Sequence, residues 1–396
     1  MQMHNALAGY KDTVCKVLFC LALVSVFLPI KIYPLLFALA SLCYFLNTSV
    51  LLRHYWVWFL LIFTGYASLI FLIQLPEDGR QVANFLKLPI NLGYLYFAVG
   101  WLSQRDNTRL LRWVDITLHV VLGLTLLQLL LYHQAAGFRW LGGVPSSAHG
   151  SALYQEADYF WGLADKNMFG ARIALLGFVY VLLPVVQNGK LVVWRILLVS
   201  ALAWLSLSRT PMVALFLGIF CLLWAGTTVR WRVALSTLAL IAIPFLAERV
   251  IRIESILASN DGMGVRLVYW KAFFQHFTAI SPLGNGFMSG GDFLSRYADF
   301  YHGEPHIHNT FFNCYLDFGI VGLVSYAAFL FYFYRFCMHE RRNSGFWWVA
   351  FLPLLAILLI LYSGYDNDIV LYLMLVFLLG SSYPAGIERL RWRIGL

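Results

Sequence analysis

Long runs of apolar residues, joined by short polar connections, follow one another along almost the whole of this chain. A helix of about 20 apolar residues is enough to cross the hydrocarbon core of a lipid bilayer. Runs of this kind lie at 13–29, 32–51, 55–74, 85–102, 113–133, 168–187, 191–207, 211–227, 231–248, 309–334, 346–363 and 366–384. We therefore predict an all-α polytopic membrane protein with about 12 transmembrane helices.

The composition supports the same class of protein. Of the 396 residues, 61% are hydrophobic and 12% are charged, whereas soluble domains carry about 25% charged residues. Little of the chain remains for a separate soluble domain, and we predict one membrane domain over 1–396. The first apolar run begins near Thr13 and no small-residue cleavage site closes it, which is typical of a retained span and not of a signal peptide.

The lysines and arginines fall mostly on one side of the predicted spans. They are Lys11, Lys16, Arg53, Arg105, Arg109, Arg112, Lys190, Arg195, Arg230, Arg232, Arg335, Arg341, Arg342, Arg389, Arg391 and Arg393. Cytoplasmic connections carry an excess of these residues, so this side is predicted to be cytoplasmic and to hold both termini. The net charge of +9 then reflects contact with anionic lipid. We expect the lipid bilayer as the partner of these residues, and no nucleic acid.

The opposite, outer side of the predicted spans carries the two long loops, 134–167 and 249–308. Long loops are usually functional, so we place the chemistry on this side. Within the second loop, 264–279 predicts an amphipathic helix that lies along the membrane surface. Its apolar stripe consists of Val265, Val268, Tyr269, Ala272 and Phe273. A break at Pro282 and a glycine-rich turn at 284–291 follow this helix.

Two arginines on the outer side are candidates for binding a phosphate group. Arg209 lies in a very short turn between two apolar spans, where a charge is costly to hold, and Arg266 lies on the predicted surface helix. The planar guanidinium matches phosphate oxygens, and a departing diphosphate needs more than one such donor. We add Lys87 and Arg80 as weaker candidates for the same anion. The alternative, that these side chains reach lipid headgroups or solvent, stays open.

His308 and Asn309 stand at the outer entrance of the span that begins at 309. Histidine titrates near neutrality and can take a proton from a sugar hydroxyl, which makes His308 a candidate general base. A lone histidine at a helix start is more often a cap or an interfacial side chain. Gly319 and Gly322, deeper in the same span, are equally well explained by close helix packing.

Two patterns resemble metal sites but lack their strict spacing. One comprises His302, His306 and His308 with Asp299 and Glu304. The other is the Asp-Asn-Asp triplet at 366–368. Zinc sites show stricter ligand spacing, and the cysteines all lie in or beside apolar runs, where neither a disulfide framework nor a metal knuckle is visible. We therefore predict neither a metal nor another cofactor.

Four short motifs follow one another along the outer side. The first two are 165–167 (Asp-Lys-Asn) and 208–210 (Ser-Arg-Thr). The third joins Arg266-x-x-x-Trp to 281–286 (Ser-Pro-Leu-Gly-Asn-Gly), and the fourth is His308-Asn309, nine residues and then 319–322 (Gly-Ile-Val-Gly). In order and spacing these motifs, which together cover about half the chain, resemble the O-antigen ligase and polymerase superfamily of bacterial envelope glycosyltransferases.

This resemblance implies a multi-helix fold of the GT-C kind in the bacterial inner membrane, with the active site facing the periplasm. It also implies that Arg209 and Arg266 hold the pyrophosphate of an undecaprenyl-linked glycan. His308 would then activate the acceptor hydroxyl without a metal. We add Asn167, Asn309 and Asp368 as further candidate contacts to the substrate.

The leading hypothesis for the function is an O-antigen ligase that transfers the glycan to the lipid A-core oligosaccharide. In the sibling hypothesis the acceptor is another lipid-linked repeat, as in a polymerase, or a protein hydroxyl. A lipid or glycan transporter is the alternative from another class. Transporters usually hold ionisable or broken-helix sites at mid-membrane, whereas the candidate residues here lie on the outer side. The acceptor, the glycan repeat and the oligomeric state stay open.

Overall fold

A computed structural model describes the chain over residues 2–28, 31–48, 54–74, 79–135, 166–246, 262–301, 303–341, 344–361, 365–382 and 392–395. The α-helices of this described part are α1 (Gln2–Ser25), α2 (Tyr33–Asn47), α3 (Tyr55–Gln74), α4 (Gly79–Ser103), α5 (Thr108–Ala135), α6 (Lys166–Asn188), α7 (Val193–Leu205), α8 (Arg209–Gly226), α9 (Val229–Leu246), α10 (Gly262–Gln275), α11 (Gly290–Tyr297), α12 (Thr310–Arg341), α13 (Ser344–Ile360) and α14 (Asn367–Ser382). A 3₁₀ turn covers Phe277–Ala279, and two short parallel strands, β1 (Lys190–Val192) and β2 (Arg393–Gly395), pair with each other.

Each apolar run marked in the sequence overlaps one of these helices. By length and composition, the helices that can cross a membrane are Tyr55–Gln74, Gly79–Ser103, Thr108–Gln134, Asn167–Asn188 and Thr310–Met338. The shorter apolar helices are Tyr33–Asn47, Val193–Leu205, Pro211–Gly226, Phe346–Ile360 and Asn367–Ser382. The prediction of an all-α polytopic membrane protein is therefore confirmed. The count of twelve spans and the GT-C fold stay predictions.

Hydrogen bonds join the predicted outer ends of the helices to one another, and the predicted cytoplasmic ends likewise. At the outer end, Asn309 before α12 donates to the carbonyl of Leu359 on α13 at 3.0 Å. At the other end, Asn107 before α5 donates to the hydroxyl of Ser381 on α14 at 3.1 Å, and β1 pairs with β2. These contacts agree with the alternating helix directions that the sequence predicts, and the assignment of the two ends to membrane sides stays a prediction.

Two helices, α6 and α14, form the centre of the bundle. Their residues are buried throughout 169–186 and 367–380. Inside this centre the guanidinium of Arg172 forms a two-pronged ion pair with Asp368, with N–O distances of 2.7 and 3.2 Å. A charge buried in a membrane protein is costly unless it is paired, so the outer end of α14 is tied to α6 by this contact.

A break in α12 is the local feature that shapes the outer end of the bundle. Gly319 adopts a left-handed φ of 64° inside the helix, and the backbone N–H of the next residue, Ile320, donates to the carbonyl of Pro282 at 2.9 Å. The N–H groups of Asn285 and Gly286 bond to carbonyls of α12 at 2.8 and 3.1 Å. The segment 282–286 therefore docks backbone to backbone on the broken helix, which explains why glycines recur in both motifs.

Replacing Gly319 with alanine is expected to destabilise the protein. A Cβ at Gly319 would lie 2.1 Å from the carbonyl oxygen of Pro282, and a non-glycine residue held in a disfavoured backbone region costs about 1–3 kcal/mol. The midpoint of thermal unfolding in detergent should fall. Gly65→Ala is the matched control, because nothing lies within 4 Å of its new methyl group. Equal midpoints for the two variants would contradict the docking of 282–286 on α12.

Candidate functional site

The outer segment between α9 and α12 folds onto the first turns of α12. Its buried apolar residues form a cluster with Tyr315 and Leu316 of α12: Val265, Tyr269, Phe273, Ile280, Phe293, Leu294 and Ile307. Most of the apolar stripe predicted for 264–279 therefore packs against protein. The helix itself ends at Gln275, before the 3₁₀ turn.

The exposed face of this segment carries Lys271 and three large apolar side chains. Leu267, Phe274 and Phe277 are 40%, 63% and 44% exposed. Phe274 lies 5.2 Å from Phe312, and Phe277 stacks on Tyr315 at 5.0 Å, which places both beside the first two turns of α12. Since α12 is long and apolar enough to span a membrane, we expect these three side chains to contact lipid. The predicted surface helix would then turn toward the lipid a face other than its predicted apolar stripe.

A spin label at Phe274 tests this expectation. In a background that lacks the native cysteines, a label on Phe274→Cys should collide with dissolved oxygen more often than with a water-soluble nickel complex. A label on Asp299→Cys is the control and should show the reverse, because the Asp299 side chain is 68% exposed and polar. Equal access of the nickel complex to both labels would contradict a lipid-facing α10.

Arg266 on α10 lies close enough to His308 to interact with it electrostatically. Arg266 is only 4% exposed, because it lies beside Val265 on the side of the helix that faces protein. His308 adopts a left-handed φ of 57° just before α12, a conformation uncommon for a residue other than glycine. The next residue, Asn309, accepts hydrogen bonds from the N–H groups of Phe311 and Phe312 at 2.9 and 3.1 Å. Asn309 is thus the N-cap of α12 and holds His308 at its entrance.

Aromatic and polar groups surround the His308 ring. The Tyr269 ring lies parallel to it at 5.9 Å between centroids, and the His306 ring meets it edge-on at 5.3 Å. The hydroxyl of Tyr269 donates to the carboxylate of Glu304 at 2.5 Å. Nδ1 of His308 is buried and has no hydrogen-bond partner in the described part of the chain, so this nitrogen is available to another group.

Burial, and after it the positive charge of Arg266, lower the pKa of His308 to about 4, and the negative charge of Glu304 opposes this shift. The pKa of His306 is also lowered, first by burial and then by His308. At neutral pH the His308 imidazole is therefore uncharged, and it can accept a proton. A neutral base next to a buried guanidinium is an arrangement suited to removing a proton beside a bound anion.

Arg209 begins α8, and the turn before it is built by its neighbours. Leu207 adopts a left-handed φ of 57°, and the hydroxyl of Ser208 donates to Oδ1 of Asn167 at 2.9 Å. Gly170 packs so closely that a Cβ on it would lie 2.7 Å from the Cβ of Ser208. Asn167 thus contacts the turn, and its predicted role as a substrate contact stays a prediction. The placement of the Arg209 side chain lies outside the described residues.

The remaining candidates lie at the same end of the bundle but in different surroundings. Lys87 on α4 is partly buried, donates to Asn84 at 2.7 Å and interacts electrostatically with Asp366. Arg80, in the first turn of α4, is exposed. Asp368 is the partner of Arg172. The roles of Lys87, Arg80 and Asp368 toward a substrate stay predictions.

The structure adds groups that the sequence hypotheses did not assign to the site. Tyr269 is three residues after Arg266 and therefore on the same side of α10, but in the sequence it counted only as part of an apolar stripe. Glu304 was noted only as a neighbour of histidines. Among the described residues, which exclude His302, no group of three or more His, Cys, Asp or Glu side chains is arranged to hold a metal ion.

Comparison with protein families gives a match over part of the chain. Residues 194–327 match the family described as O-antigen ligase. The matched segment contains Arg209, Arg266, His308 and the break at Gly319, so it includes both the site and the helix that positions it. No curated protein matches the chain.

Proposed function

We propose that this chain, a multi-pass membrane protein whose residues 194–327 match the O-antigen ligase family, transfers a lipid-linked glycan to an acceptor hydroxyl at the outer face of the bacterial inner membrane. The donor is a glycan on undecaprenyl pyrophosphate. The acceptor is a sugar hydroxyl of the lipid A-core oligosaccharide, so the product is complete lipopolysaccharide. Both termini are cytoplasmic in this proposal, and the site faces the periplasm.

The observation that carries the proposal is the pairing of His308 with Arg266. A neutral imidazole just before α12 and a guanidinium on α10 that is 4% exposed lie close enough to interact electrostatically. A base is needed to deprotonate the acceptor, and a cation is needed to stabilise the departing diphosphate. The imidazole of His308 and the guanidinium of Arg266 therefore meet both requirements of this reaction. Arg209, Lys87 and Arg80 are further candidates for binding the diphosphate.

The transfer proceeds as a single in-line displacement. The acceptor oxygen forms a bond to the anomeric carbon, and the bond from that carbon to the diphosphate oxygen breaks. The acceptor proton moves to the imidazole of His308, and the electron pair of the broken bond leaves with the lipid diphosphate. Configuration at the anomeric carbon inverts. No metal ion takes part in this scheme, because arginine supplies the positive charge.

Two other functions use the same residues differently. A polymerase or a protein glycosyltransferase would use the same donor and His308, with a lipid-linked repeat or a protein hydroxyl as acceptor. A transporter would move the lipid without forming a new glycosidic bond, and His308 would then be dispensable.

One reconstitution separates these functions. Purified protein is incubated with undecaprenyl-linked glycan and rough lipopolysaccharide, with and without EDTA, and the products are separated on a gel. We expect larger lipopolysaccharide in both samples. Longer lipid-linked glycan would instead identify a polymerase. No product, combined with movement of labelled lipid, would identify a transporter and overturn the proposal.

A further inference from the structure

Tyr269 and Glu304 lie near His308, but neither residue has a part in the proposed transfer. We propose that they act as a positioning pair: the Tyr269 ring fixes the plane of the His308 imidazole, and the Glu304 carboxylate offsets the charge of Arg266 when His308 takes a proton. This inference rests on the proposed function, since it concerns the same base. It adds two residues that neither the family match nor the motifs assign.

The geometry of the pair is specific. The Tyr269 side chain is fully buried, and its ring is within 3° of parallel to the His308 ring. One residue further along α10, the indole N–H of Trp270 donates to the carbonyl of Ile307 at 3.2 Å. The ring stack acts on His308 and the hydrogen bond acts on its neighbour Ile307. Together these two contacts hold the backbone and the ring of His308 against α10.

The hydroxyl of Tyr269 has a role of its own, separate from the stacking of the ring. It donates to Oε2 of Glu304 at 2.5 Å, which holds the carboxylate near the imidazole without a direct bond between the two. Oxygen–oxygen hydrogen bonds to a charged acceptor are short and strong. The pair thus places a negative charge where an imidazolium would form.

The charges that face His308 come from two elements. Arg266 approaches from α10, and Glu304 and His306 approach from the segment before α12. Arg266 disfavours the protonated imidazole and Glu304 favours it. Without Glu304 the buried imidazole would face a cation alone and would be a poorer base for the acceptor proton.

The test measures the titration of His308 directly, without donor or acceptor. Arg266→Gln serves as the background, because removing that cation raises the pKa of His308. In protein labelled with ¹⁵N-histidine, the His308 signal is identified by its loss in His308→Ala. Adding Glu304→Gln to the background should lower the midpoint by about one pH unit. Tyr269→Phe, which keeps the ring and removes the hydroxyl, should shift it in the same direction by less.

Asp299→Asn is the control, because it removes a carboxylate from the same outer segment that pairs with the exposed Lys271. It should leave the His308 midpoint unchanged. An unmoved midpoint in Glu304→Gln, or an equal shift in Asp299→Asn, would overturn the positioning pair.

Turnover is a second readout in the protein with Arg266 intact. Glu304→Gln should lower kcat about tenfold with donor binding unchanged, and Glu304→Asp should restore part of that loss because the charge returns. A purely structural role would lower the unfolding midpoint and affect Gln and Asp alike, which would contradict the proposal. If His308→Ala turned out to be active, the proposed function would fail while the titration result would stand, so the two failures are distinguishable.

Discussion

Replacing His308 with alanine lowers kcat for glycan transfer by about 10²–10⁴-fold, the range that general base catalysis contributes, and leaves donor binding nearly unchanged. The reason is that the imidazole acts on the acceptor proton, whereas the diphosphate is held by guanidinium groups. Turnover is measured with purified protein and both substrates, and donor binding by calorimetry or fluorescence.

A second variant and a control make the His308 result specific. His308→Asn removes the base but suits the left-handed φ of 57° at this position, since asparagine tolerates that region better than alanine does. It should be as inactive as His308→Ala and fold normally. His276→Ala is the control, because His276 lies on the same outer segment with its ring stacked on Tyr297 at 4.6 Å. Wild-type turnover in His308→Asn would rule out His308 as the base.

Replacing Arg266 with glutamine lowers kcat by about 10²–10³-fold, as expected for loss of one group that stabilises developing negative charge in a site shielded from water. It also weakens donor binding, because the same guanidinium contacts the diphosphate before reaction. Arg266→Lys should recover little, since an ammonium group lacks the planar fork that matches two phosphate oxygens. Donor affinity and kcat are measured separately for each variant.

The pH profile gives an independent signature of Arg266. In the wild type, burial and Arg266 hold the pKa of His308 at about 4, so His308 is neutral at pH 7 and activity should fall only as pH drops toward that value. Removing the cation raises the pKa, and the acid limb of Arg266→Gln should move to higher pH. Arg296→Gln is the control, because Arg296 is an exposed arginine on α11. An acid limb that does not move would show that Arg266 and His308 act apart.

Much of the fold follows from local pattern. A helix that spans lipid must satisfy its own backbone and present an apolar surface, so its position is visible as an apolar run without knowledge of its neighbours. The glycines of 282–286 and 319–322 were also visible in the sequence, but the sequence did not show why glycine is needed there. Close helix packing was one explanation, and at Gly319 the structure shows instead a loop docked on a broken helix, a contact between segments that no periodicity encodes.

The site was predictable only as a set of separate residues. Arg266 and His308 were both named from residue type and predicted side, and the structure brings them together. Asp368, named as a candidate substrate contact, is 196 residues from the arginine with which it pairs, and its side chain is buried with that partner. Charge in a span indicates that a partner exists, but the sequence does not say which residue it is.

Tyr269 and Glu304 illustrate the same limit. A tyrosine on an apolar stripe is most simply explained by packing, and only its contact with both Glu304 and the His308 ring reveals a second task. The pairing depends on how 303–309 packs against α10, which is set by tertiary contacts and not by the local sequence.

The most direct test of the central claim is the anomeric configuration of the product. Donor of known configuration is transferred to rough lipopolysaccharide by the purified protein, and the new glycosidic bond is examined by NMR. Direct displacement by an acceptor that His308 deprotonates predicts inversion, an α-linked diphosphate giving a β-linked product. Retention would require a double displacement or attack from the side of the leaving group, and would contradict the single in-line displacement.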